Sequence, residues 1–178
     1  MKETLIIAGF GGQGVLSMGK ILAYSGVMQD FEVTWMPSYG PEMRGGTANC
    51  NVILSDTPVG SPIVQHPNVL MVMNNPSLDK YEDTVAPGGK IFVDSTLIGR
   101  KVRRTDVEAY YIPATGLAGE MGVPTLANML LLGALVEKTG CVRFDSIAPA
   151  LHKVIPARKA DLFDVNMKAV EAGKAYQG

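Results

Sequence analysis

The sequence has 178 residues, which matches one domain and is long enough to bury an ordinary hydrophobic core. Its 16 basic and 17 acidic side chains give a net charge of -1 and form no concentrated basic block, so we expect no nucleic-acid partner. We expect a cytoplasmic protein with no membrane partner, because the first residues form no signal-peptide pattern and the uncharged stretch 125–136 is too short to cross a bilayer.

The first half of the sequence alternates apolar runs with turns rich in glycine or proline. Residues 4–8 are apolar and end at glycines, which predicts a strand. The helical spacing of Val15, Met18 and Leu22 then predicts a helix directly after the first turn. The remaining elements of this half are, in chain order, a strand at 31–36 ended by Pro37, a strand at 47–54, a loop at 58–67, an apolar run at 68–73 and a short helix starting at Pro76.

The second half begins with two further strand candidates and then becomes helical. The strands are 90–93 and 109–112, and we expect helix from Pro113 onward. Apolar residues surround the axis of 125–138, which predicts a helix buried on most faces, whereas 158–176 has one apolar stripe and predicts a surface helix. Strands that alternate with helices predict a single α/β domain, a three-layer α/β/α sandwich with a mainly parallel or mixed sheet.

The first glycine-rich turn lies between the first strand and the first helix and reads Gly9-Phe10-Gly11-Gly12-Gln13-Gly14. Because glycine lacks a Cβ, a ligand can approach this backbone, and the free N–H groups at the start of the helix can receive a phosphate. The spacing matches the dinucleotide pattern GxGxxG, but that pattern needs an acidic residue after the second strand, where the chain has 35–38, Trp-Met-Pro-Ser. A purely structural turn, tied down by the Gln13 amide, is a further alternative.

The second glycine-rich turn reads Tyr39-Gly40-Pro41-Glu42-Met43-Arg44-Gly45-Gly46 and joins the second and third strands. The planar guanidinium of Arg44 can bind a phosphate or a carboxylate, and the two glycines after it can expose backbone N–H groups. A structural ion pair between Glu42 and Arg44 is the alternative. We expect both glycine-rich turns to meet at the carboxyl edge of the sheet.

Several motifs of independent catalysis are missing from the sequence. There is no Gly-Asp-Gly followed by Asn for a diphosphate–magnesium site, no GKS or GKT of a P-loop, and no GxSxG nucleophile motif. Cys50 and Cys141 are the only cysteines, which is too few for a zinc or iron–sulfur cluster held by this chain alone, so we expect two buried thiols. We assign no catalytic residue and no metal ligand.

Three segments taken together resemble the gamma subunit of the 2-oxoacid:ferredoxin oxidoreductases. They are GFGGQG at 9–14, PSYGPEMRGG at 37–46 and GVPTLANMLLLGAL at 122–135. The resemblance spans essentially the whole chain, residues 1–178, and the same unit is an internal domain of single-chain pyruvate:ferredoxin oxidoreductase. It implies an enzyme complex that oxidatively decarboxylates a 2-oxoacid with coenzyme A, giving an acyl-CoA, carbon dioxide and reduced ferredoxin.

The resemblance also implies where the cofactors and partners are. Thiamine diphosphate, magnesium and iron–sulfur clusters belong to the alpha, beta and ferredoxin-like subunits, and this chain is not expected to be active alone. We expect 2-oxoglutarate as the substrate ahead of pyruvate or branched-chain acids. A free-standing dinucleotide-binding module and a purely architectural subunit remain the alternatives. The residues we expect to line the approach of coenzyme A are Gly11, Gly12, Gln13, Gly14, Ser38, Tyr39, Glu42, Arg44, Gly45, Gly46 and Asn128.

Overall fold

A six-stranded mixed sheet forms the centre of the computed structural model, which describes residues 1–39 and 47–178. In space the strands lie in the order β2-β3-β1-β4-β5-β6. β3 is antiparallel to both of its neighbours, whereas β1, β4, β5 and β6 run parallel to one another. The strands are β1 Lys2–Phe10, β2 Glu32–Tyr39, β3 Thr47–Ser55, β4 Val69–Val72, β5 Lys90–Asp94 and β6 Glu108–Ile112.

Helices cover both faces of the sheet, but unequally. The larger core cluster joins one face of the sheet to five helices, and the smaller cluster joins the other face to α2 and to apolar residues of the loops. No helix in the described ranges is long and apolar enough to cross a membrane. The helices are α1 Val15–Val27, α2 Asn75–Tyr81, α3 Ala114–Glu120, α4 Ala127–Thr139, α5 Ile147–Val154 and α6 Phe163–Ala175. The predicted single α/β domain with a mixed sheet is confirmed, and one outer layer consists mostly of loops.

Two predicted boundaries are wrong for local reasons. Pro37 does not end the second strand, which continues to Tyr39, because β2 is an edge strand and a proline there leaves no ladder bond unmade. The last helix begins at Phe163 and not at 158, since a 3-10 segment with a non-helical residue, Lys159, precedes it. Leu162, which we expected on the apolar stripe of that helix, is 41% exposed.

The helix predicted to be buried on most faces is confirmed as α4. Its first ten residues, 127–136, are all buried. Gly133 allows α6 to approach so closely that a methyl group there would overlap the Val170 carbonyl group. Gly173 of α6 does the same against the Leu130 carbonyl group. This close contact fixes α4 between the sheet and α6, and so fixes the position of its first turn beside the glycine-rich turn after β1.

Candidate functional site

The first glycine-rich turn connects the end of β1 to the start of α1. Gly12 and Gly14 both have left-handed backbone angles, with φ of 90° and 76°. Gly12 is exposed, and a Cβ built on it would meet no atom within 4 Å. The turn therefore needs glycine for its path at these two positions, and at Gly12 it leaves the main chain open to another molecule.

Gln13 holds the turn in shape. Its Oε1 accepts a hydrogen bond from the Phe10 N–H at 2.6 Å, and its Nε2 donates to the Met73 carbonyl oxygen at 3.2 Å. Gly9 makes room for this arrangement, because a Cβ there would lie 2.5 Å from the same Oε1. Both ends of the Gln13 amide are thus bound to backbone of this chain, which gives the side chain a positioning role.

Asn128, in the first turn of α4, lies against the same glycine-rich turn. Its Nδ2 donates to the Gly14 carbonyl oxygen at 3.3 Å, and a Cβ on Gly14 would overlap that amide. The residue is only 6% exposed, and its Oδ1 has no hydrogen-bond partner in the described part of the chain. A buried carbonyl oxygen of this kind normally has a donor, so the Asn128 Oδ1 still has one hydrogen bond to accept from a group beyond the described residues.

The ends of the second glycine-rich turn reach the same edge of the sheet. Tyr39, the last residue of β2, and Gly9 of β1 both pair with Ala48 of β3, from its two sides. Because neighbouring strands lie about 4.8 Å apart, the backbones of β1 and β2 are about 10 Å apart at this edge. Ser38 is exposed there and pairs with Asn49. The predicted candidates Glu42, Arg44, Gly45 and Gly46 lie outside the described residues.

Two cavities open beside the first turn, and Ser17 borders both. The first has a volume of about 280 Å³ and is lined by Phe10, Gly11, Gly12, Gly14, Val15, Leu16, Ser17 and Ala48. The second has a volume of about 250 Å³ and is lined by Ser17, Ile21, Leu126, Asn128, Met129, Leu151, Val154, Ile155, Pro156, Lys159, Leu162 and Asn166. Among the described residues that line these cavities, Lys159 is the only charged one, so no described carboxylate there opposes an anion.

The start of α1 adds a positive field to the first cavity. α1 has 13 residues, and its first turn carries no acidic side chain. The N–H groups of a first helical turn have no intrahelical partners, and they carry the positive end of the helix dipole. Together with the open backbone at Gly12, this arrangement favours a phosphate or a carboxylate over a cation.

Both thiols are buried, as predicted. Burial raises the pKa of Cys50 to about 12 and the pKa of Cys141 to about 11. Cys50 lies beneath the start of α1, with its Sγ 3.7 Å from the Val15 carbonyl oxygen. Within residues 1–39 and 47–178 there is also no group of three His, Cys, Asp or Glu side chains that could hold a metal ion.

A family model described as pyruvate ferredoxin/flavodoxin oxidoreductase matches residues 4–176. The chain belongs to this family. The resemblance noted in the sequence is therefore confirmed, and it covers both glycine-rich turns and the start of α4.

Two relatives of the family show how this chain aligns with named subunits. It is 43% identical to the ketoisovalerate oxidoreductase subunit VorA of Methanothermobacter thermautotrophicus over 172 residues, which is 96% of this chain and 35% of that protein. It is 36% identical to the 2-oxoglutarate synthase subunit KorC of Methanocaldococcus jannaschii over 159 residues, which is 88% of this chain and 85% of that protein. The chain thus spans about a third of the length of the VorA relative and most of the length of the KorC relative.

Two solved structures share the fold. The gamma subunit of a keto/oxoacid ferredoxin oxidoreductase from Geobacter sulfurreducens PCA superposes with a TM-score of 0.84 at 28% identity, covering 97% of this chain and 94% of that chain. The 2-oxoglutarate:ferredoxin oxidoreductase of Magnetococcus marinus, solved with 2-oxoglutarate, coenzyme A and succinyl-CoA bound, superposes with a TM-score of 0.87. That match is 24% identical and covers 98% of this chain and 30% of the other, so it shows the fold alone.

Sequence reasoning missed two residues of the site, Ser17 and Ala48. Ser17 lies one turn into α1 after Gly14, so helical periodicity would have found it. Ala48 could be identified only from the strand register, which places it between Gly9 of β1 and Tyr39 of β2. The sequence already offered Lys159 as a basic residue that could attract the coenzyme A phosphates, and the 3-10 segment before α6 places it on the cavity that Asn128 also lines.

Proposed function

We propose that the chain acts as the gamma-type unit of a 2-oxoacid:ferredoxin oxidoreductase and that its carboxyl edge holds part of coenzyme A. The observation that carries the proposal is the contact between Gly14 and Asn128, which leaves a buried amide oxygen without a donor next to an open, positively polarised turn. Coenzyme A suits this site, since its phosphates fit free backbone N–H groups and its amides and adenine offer N–H donors.

Each described residue of the site has a separate task in this proposal. Gly11 and Gly12 expose the main chain to the ligand, and Gln13 keeps the turn in place through its bonds to Phe10 and Met73. The Asn128 Oδ1 accepts a hydrogen bond from the ligand. Coenzyme A supplies the thiol that takes up the acyl group, and this chain only binds and orients its carrier.

The catalytic cofactors belong to partner subunits in this proposal. Thiamine diphosphate, magnesium and iron–sulfur clusters do not fit the described residues, because those residues form no metal-binding cluster and both thiols are buried with a raised pKa. The partners are the alpha, beta and ferredoxin-like subunits. The substrate class is the 2-oxoacids, with 2-oxoglutarate first, because the KorC relative, which is 36% identical and aligns over most of both lengths, is named as a 2-oxoglutarate synthase subunit.

The strand order does not support the alternative of a free-standing dinucleotide-binding module. In that fold the second strand lies parallel and next to the first. Here β2 is separated from β1 by the antiparallel β3, and the parallel neighbour of β1 is β4. No acidic residue follows β4, since residues 73–75 read Met-Asn-Asn. The acidic residue that would hold the ribose of NAD or FAD is thus missing directly after β4.

The proposal is tested with Asn128→Ala in the complex purified through a tag on this chain. We expect the apparent KM for coenzyme A to rise about two- to twelvefold, the value of one hydrogen bond, with the KM of the 2-oxoacid unchanged. The control is Thr139→Ala at the other end of α4, which also removes a hydrogen bond, from Thr139 Oγ1 to the Leu135 carbonyl oxygen.

Dye reduction with a panel of 2-oxoacids identifies the substrate in the same preparation. Equal KM values for coenzyme A in the wild type and in Asn128→Ala, with the complex intact, would refute the assignment of Asn128. A rise that Thr139→Ala shares would mean that helix stability, and not the ligand contact, is being measured. A tagged chain that purifies without oxidoreductase subunits would refute the proposed function itself.

A further inference from the structure

The strand β6 forms one edge of the sheet. It pairs with β5 on one side, and no other strand in the described ranges pairs with its second side. The opposite edge strand, β2, contains Pro37, which lacks an N–H group and interrupts any further ladder. β6, which reads Glu-Ala-Tyr-Tyr-Ile, contains no proline, so its outer side keeps its backbone groups.

The register shows which backbone groups point outward. The Glu108 N–H donates to the Gly89 carbonyl oxygen, and the Ser95 N–H donates to the Ile112 carbonyl oxygen, each at 2.9 Å. The backbone groups of Glu108 and Ile112, at the two ends of β6, therefore point toward β5. Since successive backbone groups of a strand alternate in direction, the N–H and C=O groups of Ala109 and Tyr111 face away from the sheet.

A cavity of about 380 Å³ runs along this open edge. Four consecutive residues of β6, 109–112, line it. Because successive side chains point to opposite faces of a sheet, a cavity that touches four in a row borders the strand backbone itself. Its other walls are the α4 residues Ala134 and Lys138 and the extended segment 176–178, so the open edge forms the floor of a groove.

Two lysines lie over neighbouring tyrosines of β6, Lys138, which lines the groove, and Lys101, on the other face of the sheet. The Lys138 Nζ lies 5.9 Å from the ring centre of Tyr110, and the Lys101 Nζ lies 4.0 Å from the ring centre of Tyr111. A second copy that paired its own β6 here in a two-fold arrangement would bring each lysine near its equivalent, and like charges across an interface are unfavourable. Since the carboxylate on β6, Glu108, already contacts Tyr110 and Lys90, the two lysines favour a different chain that carries acidic residues.

We propose that β6 receives an extended segment of a partner subunit as a seventh strand, with an apolar side chain in the groove and acidic residues beside Lys101 and Lys138. The partner's backbone bonds to Ala109 and Tyr111, which is the recognition mode called β-augmentation. This inference rests on the proposed function, since it takes the partner from the oxidoreductase complex. The inference concerns β6, the outermost strand on the side of the sheet opposite β2, and not the first glycine-rich turn.

Amide hydrogen exchange tests the strand addition in the complex purified through a tag on this chain. We expect the amides of Ala109 and Tyr111 to exchange at least about tenfold more slowly in the complex than in the isolated chain. The amides of Tyr110 and Ile112, which point toward β5, serve as internal controls and stay slow in both samples.

A pair of variants at one position tests the same bond by mutation. Ala109→Pro removes the outward N–H and no bond to β5, so we expect the tagged chain to lose at least about tenfold in affinity for its partner. Ala109→Gly keeps the N–H and should assemble normally. Slow exchange at Tyr110 and Ile112 in the isolated Ala109→Pro chain shows that β6 is still folded.

The outcomes separate this inference from the proposed function. An assembled, active complex in which Ala109 and Tyr111 still exchange rapidly overturns the strand addition and leaves the proposed function standing. A chain that assembles with no oxidoreductase subunit overturns both. Slow exchange at the two residues in the isolated chain, together with the mass of a dimer, assigns the edge to a second copy and also overturns the inference.

Discussion

A negative charge at Gly12 tests whether an anion binds the first glycine-rich turn. Gly12→Asp places a carboxylate beside the free N–H groups of α1, and the site has room for it, because a Cβ there meets nothing within 4 Å. Gly12→Asn is the matched control. Both side chains have the same shape and meet the same strain at φ of 90°, so their difference isolates the charge.

The size of the effect follows from Coulomb's law. A carboxylate about 7 Å from a phosphate is repelled by about 0.6 kcal/mol in water and by about 2.4 kcal/mol at an effective dielectric constant of about 20. These energies correspond to a rise of about threefold to sixtyfold in the apparent KM for coenzyme A of Gly12→Asp over Gly12→Asn. Added salt should reduce the ratio, since exposed charges are screened.

The assay is dye reduction by the assembled complex at saturating 2-oxoacid, with coenzyme A varied. Both variants must purify with the same subunits as the wild type, so that assembly does not confuse the comparison. An equal KM for coenzyme A in the two variants at low salt would show that no anion lies near Gly12. The reasoning from the helix dipole and the open backbone would then be wrong.

Three further predictions concern the fold. Gly133→Ala should lower the free energy of unfolding by about 1–3 kcal/mol and Tm by several degrees, since the methyl group would overlap the Val170 carbonyl group. The control is Gly119→Ala in α3, which should raise Tm slightly, because a Cβ there would meet open space. Burial raises the pKa of Glu3 against the opposing effect of Lys90, so Glu3→Gln should stabilise the protein at pH 7. Thermal melts should show that this gain disappears below the ordinary carboxyl pKa, where Glu3 is neutral in both the folded and the unfolded state. Neither Cys50 nor Cys141 should react with a thiol reagent at pH 8 until denaturant unfolds the chain, and rapid labelling of native protein would contradict their burial and raised pKa.

The local pattern of the sequence predicted most elements, because each has a clear period or a clear stop. The apolar residues all round 125–138 predicted α4, and the two runs rich in β-favouring residues predicted the strands β2 and β3 on either side of the second glycine-rich turn. The sequence pattern did not show that β3 lies between β1 and β2. That arrangement depends on which strand buries its residues best, a property of the whole sheet.

The candidate site was predictable only where glycine spacing marked it. The Gly9 to Gly14 turn was found because its glycines stand between a strand and a helix. The contact of Asn128 with Gly14 joins residues 114 positions apart, and nothing near either residue indicates the other. From the sequence, Gln13 could either bind a ligand or hold the turn in shape, and its hydrogen bonds to Phe10 and Met73 show the second role.

Amide hydrogen exchange of the assembled complex with and without coenzyme A, in the absence of 2-oxoacid, tests most directly whether the first glycine-rich turn binds coenzyme A. We expect peptides covering 10–17 to exchange more slowly when coenzyme A is present, while peptides from the opposite, amino edge of the sheet, such as 86–90, should not change. Unchanged exchange over 10–17 at saturating coenzyme A, in a complex that still turns over, would contradict this expectation.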